Sequence, residues 1–252
     1  MAPESVIGHI DFHVHTIHSN CGKALMTPTA AARSYQSRGY FAIGFTDHYD
    51  PILSPEKMRQ TKEELEEQDL DIEIFFGSEV CVYPGWPRRD LRRFREGDLD
   101  FCIMSPSHRP TGDEVPSFSR LPIEVQARRV LDSFIEAVRG DFADAIAHPF
   151  SYGESQIPRL EEVLSAIDES DLAWALELAR DNEVAMEFSP RVLGVPDSFQ
   201  SKFVAMCKEA GVKFSMGGDA HSLESIGNDR RLIPMIERFG IVDGDIWMPR
   251  RA

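Results

Sequence analysis

Residues 11–19 read DFHVHTIHS and continue the apolar run Ile7–His13, so the first strand ends on a cluster of imidazoles. Side chains alternate along an extended segment, which points His13 and His15 to one side and Val14 to the other. Two imidazoles paired in this way can share one cation. An apolar run closing on a metal-binding residue type recurs down the chain: Asp47 and His48 in FTDH, Glu79 in GSEV, His108 in SPSH, His148 in AHP, Glu187 in MEFSP, and Asp219 with His221 in GGDAHS. Seven of the eight histidines stand in such segments, the exception being His9 toward the opposite end of the first strand.

The runs Ile7–His13, Phe41–Thr46, Ile72–Phe76, Phe101–Ser105, Ala143–Ala147, Val184–Phe188 and Val212–Met216 are rich in β-branched and aromatic residues and read as seven strands. Helical patterns lie between them. Thr27–Arg38 is entered by Thr-Pro and left at Gly39, Pro55–Gln68 is charged and amphipathic, and Pro122–Arg139 is longer. Arg159–Asp181 has room for two helices, Ser198–Ala210 closes on Gly211, and Arg231–Phe239 closes on Gly240. Strand and helix in alternation favour a parallel sheet covered by helices. Seven such units in 252 residues, with no linker, repeat or composition break, predict one α/β domain over 1–252, a closed or nearly closed barrel. Two loops rich in Pro, Gly and Arg, Tyr83–Asp100 and Pro106–Leu121, interrupt the pattern. Barrels of this kind carry chemistry on loops at the carboxyl ends of their strands, so the polar residues above are expected to meet at one rim.

Bulk composition bounds the function. The formal charge of −15 argues against a bare phosphate-backbone binder, although bound divalent cations would reverse the local field. Neither a membrane-spanning apolar run nor a secretory leader is visible, and a cytoplasmic location is expected. The four cysteines are widely spaced and form no CxxC pair, which suits a reducing compartment. Cys81, Cys102 and Cys207 stand in apolar contexts and are expected in the core, whereas Cys21 stands in the loop SNCG.

A single histidine after a strand is ordinarily a surface or hydrogen-bonded residue; the metal reading rests on the whole set converging. Glu79 and Asp219 can each bridge two cations, and mixed imidazole and carboxylate ligation suits Zn²⁺, Mn²⁺ or Fe²⁺ better than Mg²⁺ or Ca²⁺. Two ions about 3.5–4 Å apart would supply a hydroxide for in-line attack on phosphorus without a covalent enzyme intermediate. Asp47 reads as an acceptor that orients an imidazole, His18 as a loop residue, and Glu187 as an interior acid bonded to an arginine or a ligand histidine.

At HVHTIHS, FTDH, GSEV, SPSH, AHP and GGDAHS, in this order over almost the whole chain, the sequence resembles the PHP family, the polymerase and histidinol phosphatase domain. The resemblance implies a distorted (βα)₇ barrel, two or three divalent metal ions at the carboxyl ends of the strands, and phosphoester hydrolysis. Carried over to this chain, it implies one ion on His13, His15, Glu79 and Asp219, and a second on Glu79, His108 and His148. A third would rest on His48, His221 and a loop residue. Family members with three metals usually place His or Asp in that loop, where this chain offers Asn20 and Cys21.

For a phosphate monoester, Arg109 after His108 and Arg191 in FSPR are candidates for bidentate contacts to the phosphoryl oxygens, beside Glu79 and Asp219 at the reacting centre. The basic stretch Arg88, Arg89, Arg92, Arg93 and Arg95 is balanced by Asp90, Glu96 and Asp98 and reads as a solvated helix face. Trp86 and Phe118 either wall the pocket or anchor their loops. The leading expectation is a metal-dependent phosphatase acting on a small phosphorylated substrate, histidinol phosphate being the family's best-known case. The alternatives are a phosphodiesterase or exonuclease on nucleotides or nucleic-acid ends, against which the acidic balance counts, and an inactive metal-binding module with a regulatory or assembly role.

Overall fold

The computed structural model of the chain describes residues 5–48, 55–82, 99–108, 110, 114–139 and 142–251. Its elements run β1 Ile10–Val14, α1 Pro28–Ser37, β2 Ala42–Phe45, α2 Pro55–Glu66, β3 Glu73–Cys81, β4 Phe101–Ser105, α3 Val115–Phe118 and α4 Ile123–Val138. They continue with β5 Ala145–Ile146, α5 Leu160–Ser165, α6 Glu169–Asp181, β6 Ala185–Phe188, α7 Asp197–Ala210, β7 Phe214–Met216 and α8 Ile233–Arg238. All strand pairs are parallel and the sheet order follows the chain, β1 through β7. The two outer strands approach each other: a parallel bridge joins Val14 to Ala220, and the His15 N–H donates to the Ala220 carbonyl at 2.9 Å. The fold is therefore a nearly closed seven-stranded α/β barrel whose strand ends share one rim.

Local chemistry explains where the elements start and stop. Thr27 caps α1 by accepting the Ala30 N–H at 3.2 Å, with Pro28 in the first turn. The first strand begins at Ile10 rather than Ile7, because Gly8 turns the chain at φ +79° and the His9 N–H bonds back to the Val6 carbonyl at 3.0 Å. The stretch 159–181 divides into two helices where Asp168 accepts the Ser170 and Asp171 N–H groups at 2.9 and 3.0 Å and starts α6. β3 runs past the expected end at Phe76 to Cys81, since Ser78 and Glu79 interrupt the apolar run yet stay paired with β4.

An aromatic plug fills the lower part of the barrel. Phe12 packs edge-on against Phe75 at 5.8 Å and Phe101 at 6.3 Å, and Trp247 from the C-terminal segment lies 5.9 Å from Phe12. Gly44 and Gly77 make room for it: a Cβ at either would come within 2.6 or 2.7 Å of the Phe101 ring. Above this layer the barrel turns polar. Pairing of β1 with β2 passes from Asp11↔Ile43 to Val14↔Phe45, so β1 carries one extra residue there, a bulge. Phe12 therefore joins the aromatic plug while the next residue, His13, also faces inward onto Glu79 and Glu187. Strict alternation would have turned one of them out. No helix among the described residues is long and apolar enough to cross a membrane.

Candidate metal centre

Glu79, buried on β3, is the hub of the rim. Its Oε1 lies 3.1 Å from His148 Nε2 and 3.3 Å from His108 Nε2. Its Oε2 lies 3.3 Å from His15 Nε2, 3.5 Å from His13 Nε2 and 3.1 Å from His48 Nδ1. Asp219 Oδ1 is 3.4 Å from Nε2 of both His13 and His15, which are 3.0 Å from each other. Two ring nitrogens that close repel unless a proton or a cation lies between them. Four sets of donor atoms each fall within 4.8 Å: His13, His15 and Asp219; His13, Glu79 and His148; His48, Glu79 and His108; and His15, Cys21, His48 and His221. Each set could hold an ion.

The far nitrogens of these rings are held from behind. His13 Nδ1 donates to Glu187 Oε1 at 2.7 Å, and His221 Nδ1 to the Asp219 carbonyl at 2.7 Å. His15 Nδ1 donates to Ser19 Oγ at 3.1 Å, because the Ser19 hydroxyl already donates to Asp47 Oδ1 at 2.6 Å. His148 Nδ1 meets Ser107 Oγ at 2.7 Å, and that hydroxyl donates to the His148 carbonyl at 3.2 Å. The hydrogen-bond network thus puts a proton on Nδ1 of His13, His15 and His221, so that their Nε2 atoms face away from it. At His148 the Ser107 hydroxyl can donate either to Nδ1 or to the carbonyl, and a cation on Nε2 would select the Nδ1–H form. Asp47 acts on His15 through Ser19, and it also accepts the Thr16 N–H at 2.7 Å and the Thr16 hydroxyl at 2.6 Å.

Electrostatics match the geometry. Burial alone would push His13 down, but Glu187, Asp219 and Glu79 hold it well above the ordinary imidazole value. His15 is raised as well, its burial outweighed by bonding to Asp219 and Glu79. Despite its own burial, Glu79 stays well below the usual carboxylate range beside His13, His148 and His15. Asp219 is depressed by His13, His15 and Arg191 against its burial. Burial pulls His108 down to about 3 and lowers His48 and His221, so those rings are neutral. The result is a centre with charged carboxylates at Glu79 and Asp219, neutral rings at His108, His48 and His221, and a His13–His15 edge at which a cation would have to displace protons.

The backbone is bent to serve the rim. His148 and Asp219 are non-glycine residues with positive φ, 33° and 50°, a conformation that persists only where its surroundings enforce it. At His148 the Glu187 carboxylate accepts the backbone N–H at 2.8 Å. At Asp219 the preceding Gly217 and Gly218 leave no space for side chains: a Cβ on Gly217 would sit 2.7 Å from His13 Cβ and collide with Glu187, and one on Gly218 would collide with Asp11. Asp11, buried on β1, accepts the Gly218 N–H at 2.7 Å, the His13 N–H at 3.1 Å and the Tyr35 hydroxyl at 2.6 Å, fastening β1 to the Asp219 loop.

The other expected site residues divide. Arg191 contacts Asp219 Oδ2 through Nε. Cys21 falls in the set with His15, His48 and His221, whereas His18 turns away to Thr61 on α2 at 3.3 Å. Asn20 is exposed. Phe118 is buried, consistent with a loop anchor. Arg109, Trp86 and the basic stretch 88–95 lie outside the described residues. Cys102 and Cys207 are buried as expected, but Cys81 is not in the core: it ends β3 exposed at the rim, with Sγ 2.8 Å from His108 Nδ1. Ser19, Ser107, Cys81 and Asp11 are the residues that motif reading did not single out for the site. Ser107 carried a faint signal as the neighbour of His108.

No family model matches the chain. It is 27% identical over 240 residues, 93% of its length and 87% of theirs, to probable phosphatases of Thermoanaerobacter sp. (strain X514) and Thermoanaerobacter pseudethanolicus. Among solved structures it resembles histidinol phosphate phosphatase from Lactococcus lactis subsp. lactis, complexed with zinc, L-histidinol and phosphate. That match has a TM-score of 0.67 at 21% identity over 92% of this chain and 94% of the other. A chain in an archaeal ribonuclease P complex with mature tRNA matches at a TM-score of 0.59 and 15% identity, over 93% and 83% of the two chains. The structural likenesses establish the barrel, and because that barrel serves such different proteins, the chemistry has to be argued from the rim.

Proposed function

We propose that this chain is a metal-dependent phosphoesterase of the PHP kind that hydrolyses a small phosphate monoester. The observation that carries the proposal is the convergence of ring nitrogens, their proton-bearing sides turned away, on two depressed carboxylates, Glu79 and Asp219. The donor set of imidazoles, carboxylates and a thiol fits zinc, manganese or iron. One ion is assigned to His13, His15 and Asp219 with Glu79 beside them, and a second to Glu79, whose Oε1 faces both His108 and His148, although within the four donor sets those two rings fall separately, with His48 and with His13. The third is assigned to His48, His221 and Cys21, whose sulfur lies in one set with those rings. Such ions lower the pKa of a water and offset charge that develops on phosphorus-bound oxygens.

The protein's own part is orientation. Glu79 offers one oxygen to each side of the rim and keeps the two halves of the ligand set at a fixed separation. Glu187 and Ser19 hold His13 and His15 in the tautomer that binds, and Ser107 bonds to His148 from behind. Arg191, partly exposed and tethered to Asp219 through Nε, is the group assigned to the phosphoryl oxygens. The relatives named as phosphatases, and the neighbour that binds histidinol and phosphate, support a monoester as substrate class.

The test combines metal analysis with a substrate screen. Protein purified without chelator is expected to carry two or three equivalents of zinc, manganese or iron and to hydrolyse p-nitrophenyl phosphate and histidinol phosphate faster than bis(p-nitrophenyl) phosphate. Less than one equivalent, together with no hydrolysis after reconstitution with any of the three metals, overturns the reading. A preference for the diester would move the assignment to a phosphodiesterase.

A further inference from the structure

The imidazoles of the rim differ in what stands behind them. Glu187, Ser19, Ser107 and a backbone carbonyl each set an oxygen against the Nδ1 of His13, His15, His148 and His221. Behind His108 stands sulfur, Cys81 Sγ at 2.8 Å. The meeting follows from the sheet. Cys81 lies two residues beyond Glu79 on β3 and so shares its face, and Cys81 pairs with Ser105 at the end of β4, from which the chain leads directly to His108. The same ring turns Nε2 to Glu79 Oε1 at 3.3 Å. Its other contacts at the rim are face and edge contacts with His148 and His48, 5.1 and 5.6 Å between centroids, which restrain the ring's position but not the identity of its protonated nitrogen.

We infer that Cys81 is a positioning residue: its sulfur accepts the His108 Nδ1–H, fixes the tautomer whose Nε2 lone pair faces Glu79, and so sets the affinity of one metal position. This inference rests on the phosphoesterase reading for its metal, but not for its hydrogen bond. Sulfur is a weaker acceptor than the oxygens that serve the other rings. The ion that uses His108 is therefore held through a weaker support than the oxygens give His13, His15, His148 and His221, and an oxygen in place of the sulfur preserves or tightens the hold. Partners behind a ligand histidine typically govern about 10- to 100-fold in metal affinity.

The experiment uses the full chain, stripped of metal, as wild type, Cys81→Ala and Cys81→Ser. Titration with Mn²⁺ against a competing chelator should show one equivalent weakened about tenfold or more in Cys81→Ala, the remaining equivalents unchanged, and wild-type or tighter binding in Cys81→Ser. Long-range ¹H–¹⁵N NMR of the metal-free protein reads the imidazole tautomers directly. His108 should carry its proton on Nδ1 in wild type and Cys81→Ser and lose that preference in Cys81→Ala, at an unchanged thermal midpoint; a wild-type proton on Nε2, donated to Glu79 Oε1 while the Cys81 thiol donates to Nδ1, overturns the inference. If Cys81→Ala binds every equivalent like wild type with the His108 tautomer unaltered, the inference is wrong. If wild type binds no metal, the phosphoesterase reading fails by itself, and the NMR comparison still decides whether Cys81 orients His108.

Discussion

Replacing Glu187 by Gln tests the tautomer argument at its most buried point. The wild-type carboxylate accepts twice, from His13 Nδ1–H at 2.7 Å and from the His148 backbone N–H at 2.8 Å, with Glu187 and His13 both essentially sealed from water. An amide offers one oxygen and one NH₂, so one donor must face another donor. If the oxygen stays on the His148 N–H, His13 can satisfy the NH₂ only by moving its proton to Nε2, the atom that faces His15, Asp219 and Glu79. That removes a lone pair from the centre. Loss of one buried hydrogen bond to a charged group costs about 1.5–3 kcal/mol, equivalent to roughly 10- to 100-fold in metal affinity. Chelator competition with Mn²⁺ on Glu187→Gln, with the exposed Glu177→Gln on α6 as control, measures it directly. An affinity within twofold of wild type, or an equal loss in the control, would show that Glu187 does not set the His13 tautomer.

Three further outcomes follow from the same geometry. Gly217→Ala should destabilise the protein by about 1–3 kcal/mol in denaturant unfolding and weaken metal binding, because its Cβ meets His13 and Glu187 in a packed interior; wild-type values for both would show that the site yields. Since their carboxylate neighbours hold His13 and His15 above the ordinary imidazole value, a cation at that edge must displace protons, so metal affinity should climb as pH rises. Calorimetry in two buffers of different ionisation enthalpy should register proton release, and pH-independent affinity would contradict it. Asp11, pushed up to about 8 by burial and by Asp229, lies above its unfolded value of 3.8, so its contribution is complete below the unfolded value and is lost progressively as pH rises from there to about 8. Stability should therefore fall with a slope of up to about 1.4 kcal/mol per pH unit from this group, and Asp11→Asn should flatten that slope in denaturant titrations.

The barrel was legible because its signals are local. Seven apolar runs separated by capped helices dictate alternation, and the residues that break each run announce where the rim lies. Glu79 and Asp219 could be singled out because a carboxylate at the end of an apolar strand has few structural uses. The bulge at Phe12 and His13 was invisible, since a period of two predicts alternation and only pairing with β2 shows the extra residue. Cys81 read as core from its apolar neighbours, yet the pleat of β3 sets it at the rim.

What the amino-acid order determined by itself was the set of strands, the helices between them and the residue types delivered to each strand end, all properties of spacing along one segment. Tertiary structure alone set which nitrogen of each ring faces the centre and which is held from behind. Apart from Ser19, four residues from His15, and the Asp219 carbonyl, two from His221, the groups behind the rings come from other strands or the segments that follow them. Glu187 is 174 residues from His13, Ser107 is 41 from His148, and Cys81 is 27 from His108. A hydrogen bond is a relation between two atoms in space, and closing the barrel is what creates it.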